Sequence, residues 1–437
     1  MKKQFFYAAM ALAVMSSCSK DNDPGIGNPE ENNDKAVIAL GLDVPTVTAS
    51  TRGTGSVGDV AGDQNTWNSQ KLYIYMVDRN TGLEAEEGAE NAKTKILDNG
   101  VLEFRAPKAD AKDKGAIRIY KSYTEDSDNG VIQYKYYPTN GQYTFYGYHI
   151  DDAANANPSI TATEKKVTGV TIDGTQDLLA AKTIDMAEND ATAADPESFY
   201  KDIATSLGSE WTELMKYQFG ARTARKGIVP VLKFEHQLAR LKFFVRAGSA
   251  SAAGYEWQTS QWVERKSSDA AAKPLGMQVT KITLKDMANV VDMDLTVPSS
   301  TRNGAGVADF VVCSKDAAAN NKLDPTKGLI DPVVPKYPYE DANIPAQDPD
   351  TKGTQVGEPV MFFPIDDPDN GNITLSIDLK QYVEDTKDEA TGTITYKEVE
   401  KADNKLIIDQ SKISGATKKF MPGASYNVYI TIYGLEK

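Results

Sequence analysis

The stretch Ser425–Lys437 constrains this chain more than any other. It reads Ser425-Tyr426-Asn427-Val428-Tyr429-Ile430-Thr431-Ile432-Tyr433-Gly434-Leu435-Glu436-Lys437, and its density of β-branched and aromatic residues predicts a strand. Pro422 and Gly423 punctuate its start. Side chains alternate across a strand, so Tyr426, Val428, Ile430 and Ile432 take one face. Tyr429, Thr431, Tyr433 and Leu435 take the other. An apolar strand at a chain end needs a sheet partner, because unpaired it invites aggregation. Two readings follow: a last strand paired inside its own domain, or a strand offered to another molecule. The opposite end of the chain bears on the choice.

That end begins Met1-Lys2-Lys3, runs through an apolar segment from Phe5 to Met15 and reaches Ser16-Ser17-Cys18-Ser19. Two lysines, a short hydrophobic run and small residues before a cut make an export signal over residues 1–17. The run is too short to span a bilayer stably. Val14-Met15-Ser16-Ser17-Cys18 is similar to a bacterial lipobox, with Met15 in place of the usual leucine. The similarity implies that Cys18 receives acyl chains such as palmitate and becomes the first mature residue. Several chains anchor where one is marginal, at about 0.8 kcal/mol per buried methylene. Residues 19–35, rich in Asp, Asn, Gly, Pro and Glu, read as a disordered tether.

Composition narrows the function. The 437 residues suffice for two or three domains. The net charge is -14, with no basic cluster to suggest a nucleic-acid partner. The chain holds 2 Cys and 2 His, which removes the residues most hydrolytic, redox and transition-metal sites draw on. With Cys18 acylated, Cys313 has no intramolecular disulfide partner. It lies in the strand-like run Asp309-Phe310-Val311-Val312-Cys313 and reads as a small buried hydrophobe. His149 reads as a packing residue, with no metal-spaced neighbour in sequence. Asp366–Asn372 is acidic but lacks the spacing of a calcium loop, and reads as a tight turn. No phosphate loop, nucleophile elbow or zinc-binding His pair occurs. A two-carboxylate glycosidase leaves no sequence signature and stays open.

Strand candidates run through the whole chain. Ala36–Val47 follows the tether. Thr46–Gly62 then forms a small-residue loop holding a single basic residue, Arg52, where a backbone is open to proteolysis. Further candidates are Lys71–Asp78, Gly100–Arg105, Ala116–Tyr120, Ile132–Tyr137, Gln142–Ile150, Lys166–Ile172 and Leu178–Ala181. Tyr143-Thr144-Phe145-Tyr146-Gly147-Tyr148-His149-Ile150 is aromatic on both faces and belongs in the middle of a sheet. Asp195–Phe219 has helical periodicity, with Leu207-Gly208 as a break. A domain boundary falls in Gly220–Lys226, ahead of the long run Gly227–Gly248. Val279–Leu284, Val290–Val297, Asp309–Cys313, Pro359–Ile365, Asn372–Leu379, Gly392–Val399 and Lys405–Ile408 continue the second half. Ser314–Glu358, dense in Pro, Asp, Lys and Gly, reads as a surface excursion.

Taken in order, these marks resemble the Bacteroidales fimbrillins, the subunits of outer-membrane type V pili, and within them the minor-fimbrium shaft type. The marks are the lipobox around Cys18, Thr51-Arg52-Gly53, and Trp67 ahead of Leu72-Tyr73-Ile74-Tyr75-Met76-Val77. Phe145-Tyr146-Gly147-Tyr148 and Asp177-Leu178-Leu179 follow, then His236-Gln237-Leu238-Ala239-Arg240-Leu241, and the closing Pro422–Val428 leading to Ile432-Tyr433-Gly434-Leu435. The resemblance implies an all-β fold of two tandem transthyretin-like Greek-key β-sandwich domains with minor helical insertions. Residues 1–17 would be the signal peptide and 18–52 a lipidated propeptide carrying the first strand. The N-terminal sandwich would span 53–225, and the C-terminal sandwich with its donor strand 226–437. It implies a precursor moved by the lipoprotein export machinery and held on the outer membrane by lipid. An arginine-specific protease then cuts between Arg52 and Gly53, releasing the strand Val37–Val44. A neighbouring copy's terminal strand, through Tyr426, Val428, Ile430, Ile432 and Gly434, refills the gap in a head-to-tail polymer. Anchor and tip pilins complete a cell-surface fimbrium that supports adhesion, with no cofactor and no catalysis. The alternatives are a tip or accessory pilin, or a surface carbohydrate-binding lipoprotein. The last expects aromatic platforms on loops, for which Trp257, Trp262, Tyr337 and Tyr339 are the candidates.

Overall fold

The structure, a computed structural model, describes residues 36, 38, 40–43, 71–87, 94–97, 100–105, 116–120, 135–150, 159–161, 165–186, 200–249, 252, 254–258, 261–264, 275–304, 306–314, 353–365, 371–413 and 418–433. Strands of the first half are β1 (Gly41–Asp43), β2 (Lys71–Asp78), β3 (Glu86–Glu87), β4 (Thr94–Lys95), β5 (Gly100–Arg105) and β6 (Ala116–Tyr120). β7 (Tyr143–Ile150), β8 (Ser159–Thr161), β9 (Lys166–Thr171) and β10 (Leu178–Thr183) follow. Three short helices come next: α1 (Lys201–Leu207), α2 (Ser209–Met215) and α3 (Ala221–Ala224). Gly208 separates the first two at φ +54°, a conformation glycine adopts without steric cost, and this is the break the sequence predicts. Among the described residues no helix is long and apolar enough to cross a membrane.

The remaining strands are β11 (Val231–His236), β12 (Ala239–Ala247), β13 (Tyr255–Gln258), β14 (Gln261–Glu264), β15 (Gln278–Ala288), β16 (Val290–Asp294) and β17 (Ser299–Arg302). After them come β18 (Val307–Ser314), β19 (Thr354–Phe362), β20 (Ile373–Lys387), β21 (Ile394–Ile408) and β22 (Ser425–Ile432). The chain is mostly β and its sheets are mostly antiparallel, an arrangement consistent with β-sandwich packing.

Period-two alternation explains how the largest sheet buries both faces. Its seven strands run β1-β11-β10-β7-β2-β5-β6, which puts the doubly aromatic β7 in the middle, as its sequence requires. Leu72, Ile74 and Met76 of β2, Phe145 of β7 and Leu179 and Ala181 of β10 enter one core with Trp211 and Leu214 of α2. The alternate residues Tyr75, Tyr148, Leu178 and Ala180 enter a second core. Tyr73 stacks on Tyr148 there, with ring centroids 4.8 Å apart. That second core is shared with Leu241 and Phe243 of β12, Ile282 of β15, Cys313 of β18 and Ile377 of β20. Cys313 is fully buried, as a small apolar residue in a strand should be. His149 is buried at the end of β7, a packing position.

Strands from the two halves also share sheets. β8 and β9 join β16 and β17 in the order β17-β16-β9-β8. The strand β11, which the expected boundary places in the second unit, is hydrogen-bonded between β1 and β10 in the first sheet. Leu232 and Phe234 give it the same inward face as Leu179 and Ala181, and this outweighs its closeness in sequence to β12. The other sheets are β19-β12-β22, β18-β15-β20-β21 and the ribbons β13-β14 and β3-β4.

Three expectations change. The stretches Gly392–Val399 and Lys405–Ile408 are parts of one strand, β21, and β20 runs on past Leu379 to Lys387. Their outer halves pair with each other alone and carry charged residues and threonines, so no apolar alternation marks them in sequence. The excursion from Ser314 is shorter than its composition suggests, because Thr354–Glu358 already belongs to β19. Trp257 and Trp262 are not on loops; they are backbone register partners in the β13–β14 ribbon.

Candidate functional site

All pairings between described strands are antiparallel except two: β1 on β11 and β22 on β12. These are the strands nearest the two ends of the chain, and each lies at the edge of its sheet. Their partners follow one another along a single backbone run, Val231–Ala247, interrupted only at Gln237 and Leu238.

The run has two edges. Gln237 N donates to Leu178 O on the β10 side. The next residue turns the other way: Leu238 O accepts from Gly423 N at 2.8 Å, and Arg240 N donates to Ala424 O at 3.0 Å. β19 takes the other edge of β12, and its Met361 N donates at 2.9 Å to Gly174 O in the segment leading into β10, so β22 lies on the edge opposite β10. β1 lies on that same edge, since it flanks β11 across from β10. The two end strands therefore line one seam in tandem.

The N-terminal part of the seam is built from an apolar sequence. Ala36, Ile38 and Leu40 alternate and are all buried, in the same core as Trp211, Leu232 and Phe234. Ile38 N donates to Lys135 O and Tyr137 N donates to Ala36 O, both at 2.8 Å. Gly41, Leu42 and Asp43 then pair with Val231, Leu232 and Lys233. The first residue of β11 is held from behind, because Val231 N donates to the Tyr200 hydroxyl at 2.9 Å. Burial raises the Tyr200 pKa above its usual value.

A prediction follows from this contact. Tyr200→Phe leaves the Val231 N–H without its buried acceptor and should cost about 1–3 kcal/mol in urea unfolding. The native state keeps the phenol proton where the unfolded chain loses it. The linked stability is thus complete below the unfolded value of about 10 and declines as pH rises above it. The Phe variant should lack that share of the alkaline loss, and an unchanged urea midpoint would contradict the contact.

The C-terminal part of the seam is longer. Eight residues of β22 pair in register with β12, from Ser425 opposite Arg240 to Ile432 opposite Ala247. Tyr426, Val428, Ile430 and Ile432 form the inward face as the alternation predicts, with Ile430 and Ile432 buried and the first two half-buried. The Tyr426 hydroxyl accepts from Met421 N and donates to Lys419 O, and its ring meets Phe420 edge-on. On the outward face Arg240 Nε donates to Ser425 Oγ at 3.1 Å, and Arg246 Nε donates to Thr431 Oγ1 at 2.7 Å. Between them Phe244 stacks on Tyr429, with centroids 5.4 Å apart. Burial, and then the Arg240 charge, lower the pKa of Lys242 on the same row. Past the end of β12, a Cβ on Gly248 would come within 2.5 Å of the Tyr433 ring, so any larger residue there would push that exposed ring aside. Where the two parts of the seam meet, His236 Nδ1 lies 2.9 Å from Asp177 Oδ2, and both side chains are buried.

Of the residues singled out in sequence, the structure thus brings Tyr426, Val428, Ile430 and Ile432 together on one face. Cys18, Arg52, Gly53 and Gly434 lie outside the described residues, as do Tyr337, Tyr339 and Asp366–Asn370 of the acidic turn. Arg240 and Arg246 were missed as contacts of β22. Their only sequence signal is the alternation of basic residues along β12 opposite the hydroxyls of β22. Among the described residues no three His, Cys, Asp or Glu side chains gather as a metal site.

No family model and no curated protein matches the chain. Solved structures give distant likenesses over nearly the full length. A candidate cell-adhesion protein of Bacteroides uniformis is 11% identical with a TM-score of 0.39, over 93% of this chain and 94% of that one. A candidate cell-adhesion protein of Bacteroides fragilis is 10% identical with a TM-score of 0.32, over 91% and 94%. The fimbrial anchor protein Mfa2 of Porphyromonas gingivalis is 10% identical with a TM-score of 0.27, over 91% and 90%.

Proposed function

We propose that this chain is the structural shaft subunit of a cell-surface fimbria, and that it polymerises by strand exchange after an arginine-specific cut behind Arg52. One observation carries the reading: the two end strands are the two parallel edge strands, seated in tandem on one seam. A strand at a sheet edge with an apolar inner face is the element a sheet loses or gains most readily.

A cut between Arg52 and Gly53 severs the segment holding β1 from everything after it. Only non-covalent contacts then keep Ala36, Ile38 and Leu40 in the core. Their departure opens an apolar slot along β11 and leaves backbone groups without partners, which is costly in a buried setting. A strand from another copy relieves that cost, and β22 is the donor. Donor strand and receiving edge are different parts of the chain, so the contact is head to tail and builds a fibre. In this scheme the precursor is an outer-membrane lipoprotein acylated at Cys18. The reading includes two transthyretin-like Greek-key sandwich units in series. The cut subunit has lost its lipid, so a separate anchor pilin holds the fibre and a tip pilin ends it.

Electron microscopy tests the reading. Protein cut after Arg52 should form filaments, and Arg52→Ala protein exposed to the same protease should stay monomeric. Filaments formed equally well by a cut chain lacking Ser425–Lys437 would overturn the donor role.

A further inference from the structure

We propose that Arg240 and Arg246 latch β22 into its own molecule and thereby slow its donation to a second copy. The inference rests on the strand-exchange reading above and adds to it a restraint within the monomer.

Among the described strands β22 is an edge strand, hydrogen-bonded to β12 alone. Its inner residues Ile430 and Ile432 would suit many apolar slots. The outer row is particular to this pair of strands. Arg240 and Arg246 are both at even positions of β12, so they share a face. Their register partners are Ser425 and Thr431, the first and seventh residues of β22. Each guanidinium donates through Nε to its partner's hydroxyl, at 3.1 Å and 2.7 Å. A charged donor makes such a bond roughly twice as strong as a neutral one. Edge strands open from their ends, and here each end is pinned, so fraying from either side must first break a charge-assisted bond.

The middle of the row is filled by the Phe244–Tyr429 stack. Arg240 is only 4% exposed while β22 is seated, so its bond to Ser425 is shielded from competing water in the closed state. Donation therefore begins with the loss of contacts that no apolar slot returns. The latch keeps uncut or freshly cut monomers from trading strands at random.

Amide hydrogen exchange on the full-length, uncut chain tests the latch without any polymer. Ser425→Ala with Thr431→Val removes both acceptors and leaves the arginines and the apolar face untouched. Exchange across 425–432 should quicken about tenfold or more, the effect of losing one or two net hydrogen bonds, while β15 and β20 keep their rates. Arg246→Leu should act in the same direction, and cut protein carrying either change should start assembling sooner. Unchanged exchange in β22 would overturn the latch, as would a rise spread evenly over β15 and β20. Faster exchange in β22 with no β22-dependent filament under any condition would support the contact within the monomer and overturn the polymer reading instead.

Discussion

Ile38→Ala and Leu40→Ala are each expected to lower the stability of the uncut chain by about 2–4 kcal/mol, measured by urea unfolding. Both side chains are 3% exposed. They sit in one core with Trp211, Leu232 and Phe234, where truncation leaves a cavity that packed neighbours only partly close. The two sites lie two residues apart on one face of one core, so the double variant is expected to depart from the sum of the singles. The size of the effect bears on the proposed strand exchange, because it measures what a chain cut after Arg52 would lose with that segment. A loss of several kcal/mol is comparable with the whole stability of an ordinary domain, so the cut form should be unstable until another strand arrives. Changes under about 0.5 kcal/mol, the range of surface substitutions, would show that the segment contributes little and that its release creates no demand.

Removing Ser425–Lys437 should have an effect of similar or larger size. The truncation uncovers the edge of β12 along eight register pairs and strips away the burial of Ile430 and Ile432, with part of Tyr426 and Val428. Burial of aliphatic side chains contributes about 1.5–3 kcal/mol each, so the loss should exceed about 4 kcal/mol before any hydrogen bond is counted. A synthetic peptide of the deleted sequence should restore the melting temperature of the truncated chain in a concentration-dependent way, as a ligand of the native state does. Equal melting temperatures for the full and truncated chains would mean that β22 adds nothing to its sheet, and the seat on β12 would lose its significance.

Much of this was legible in the sequence. The central place of β7 follows from aromatic residues at both odd and even positions, because a strand apolar on both faces belongs inside a sheet. The inward face of β22 follows from alternation alone. The sense and edge of each end strand do not. Parallel pairing on β11 and β12 is fixed by contacts nearly two hundred residues apart in sequence, and no local pattern encodes it. The run Val231–Ala247 reads as one strand region ahead of a second domain, yet its first part is drawn into the first sheet by Leu232 and Phe234. The outer halves of β20 and β21 escaped notice because residues such as Glu384, Asp385 and Lys387 give no apolar rhythm; backbone pairing and the Thr386–Thr395 contact hold them instead. Arg240 and Arg246 were visible only as basic residues on the outer face of a strand, and their hydroxyl partners lie at the far end of the sequence.

The tandem seating on Val231–Ala247 has a mechanical side. Both end strands point the same way along one backbone, so a pull directed lengthwise is shared by every rung of each ladder at once, and no single rung is loaded first. A joint of that kind resists stretching far better than lifting sideways, a property that would suit the fibre proposed above.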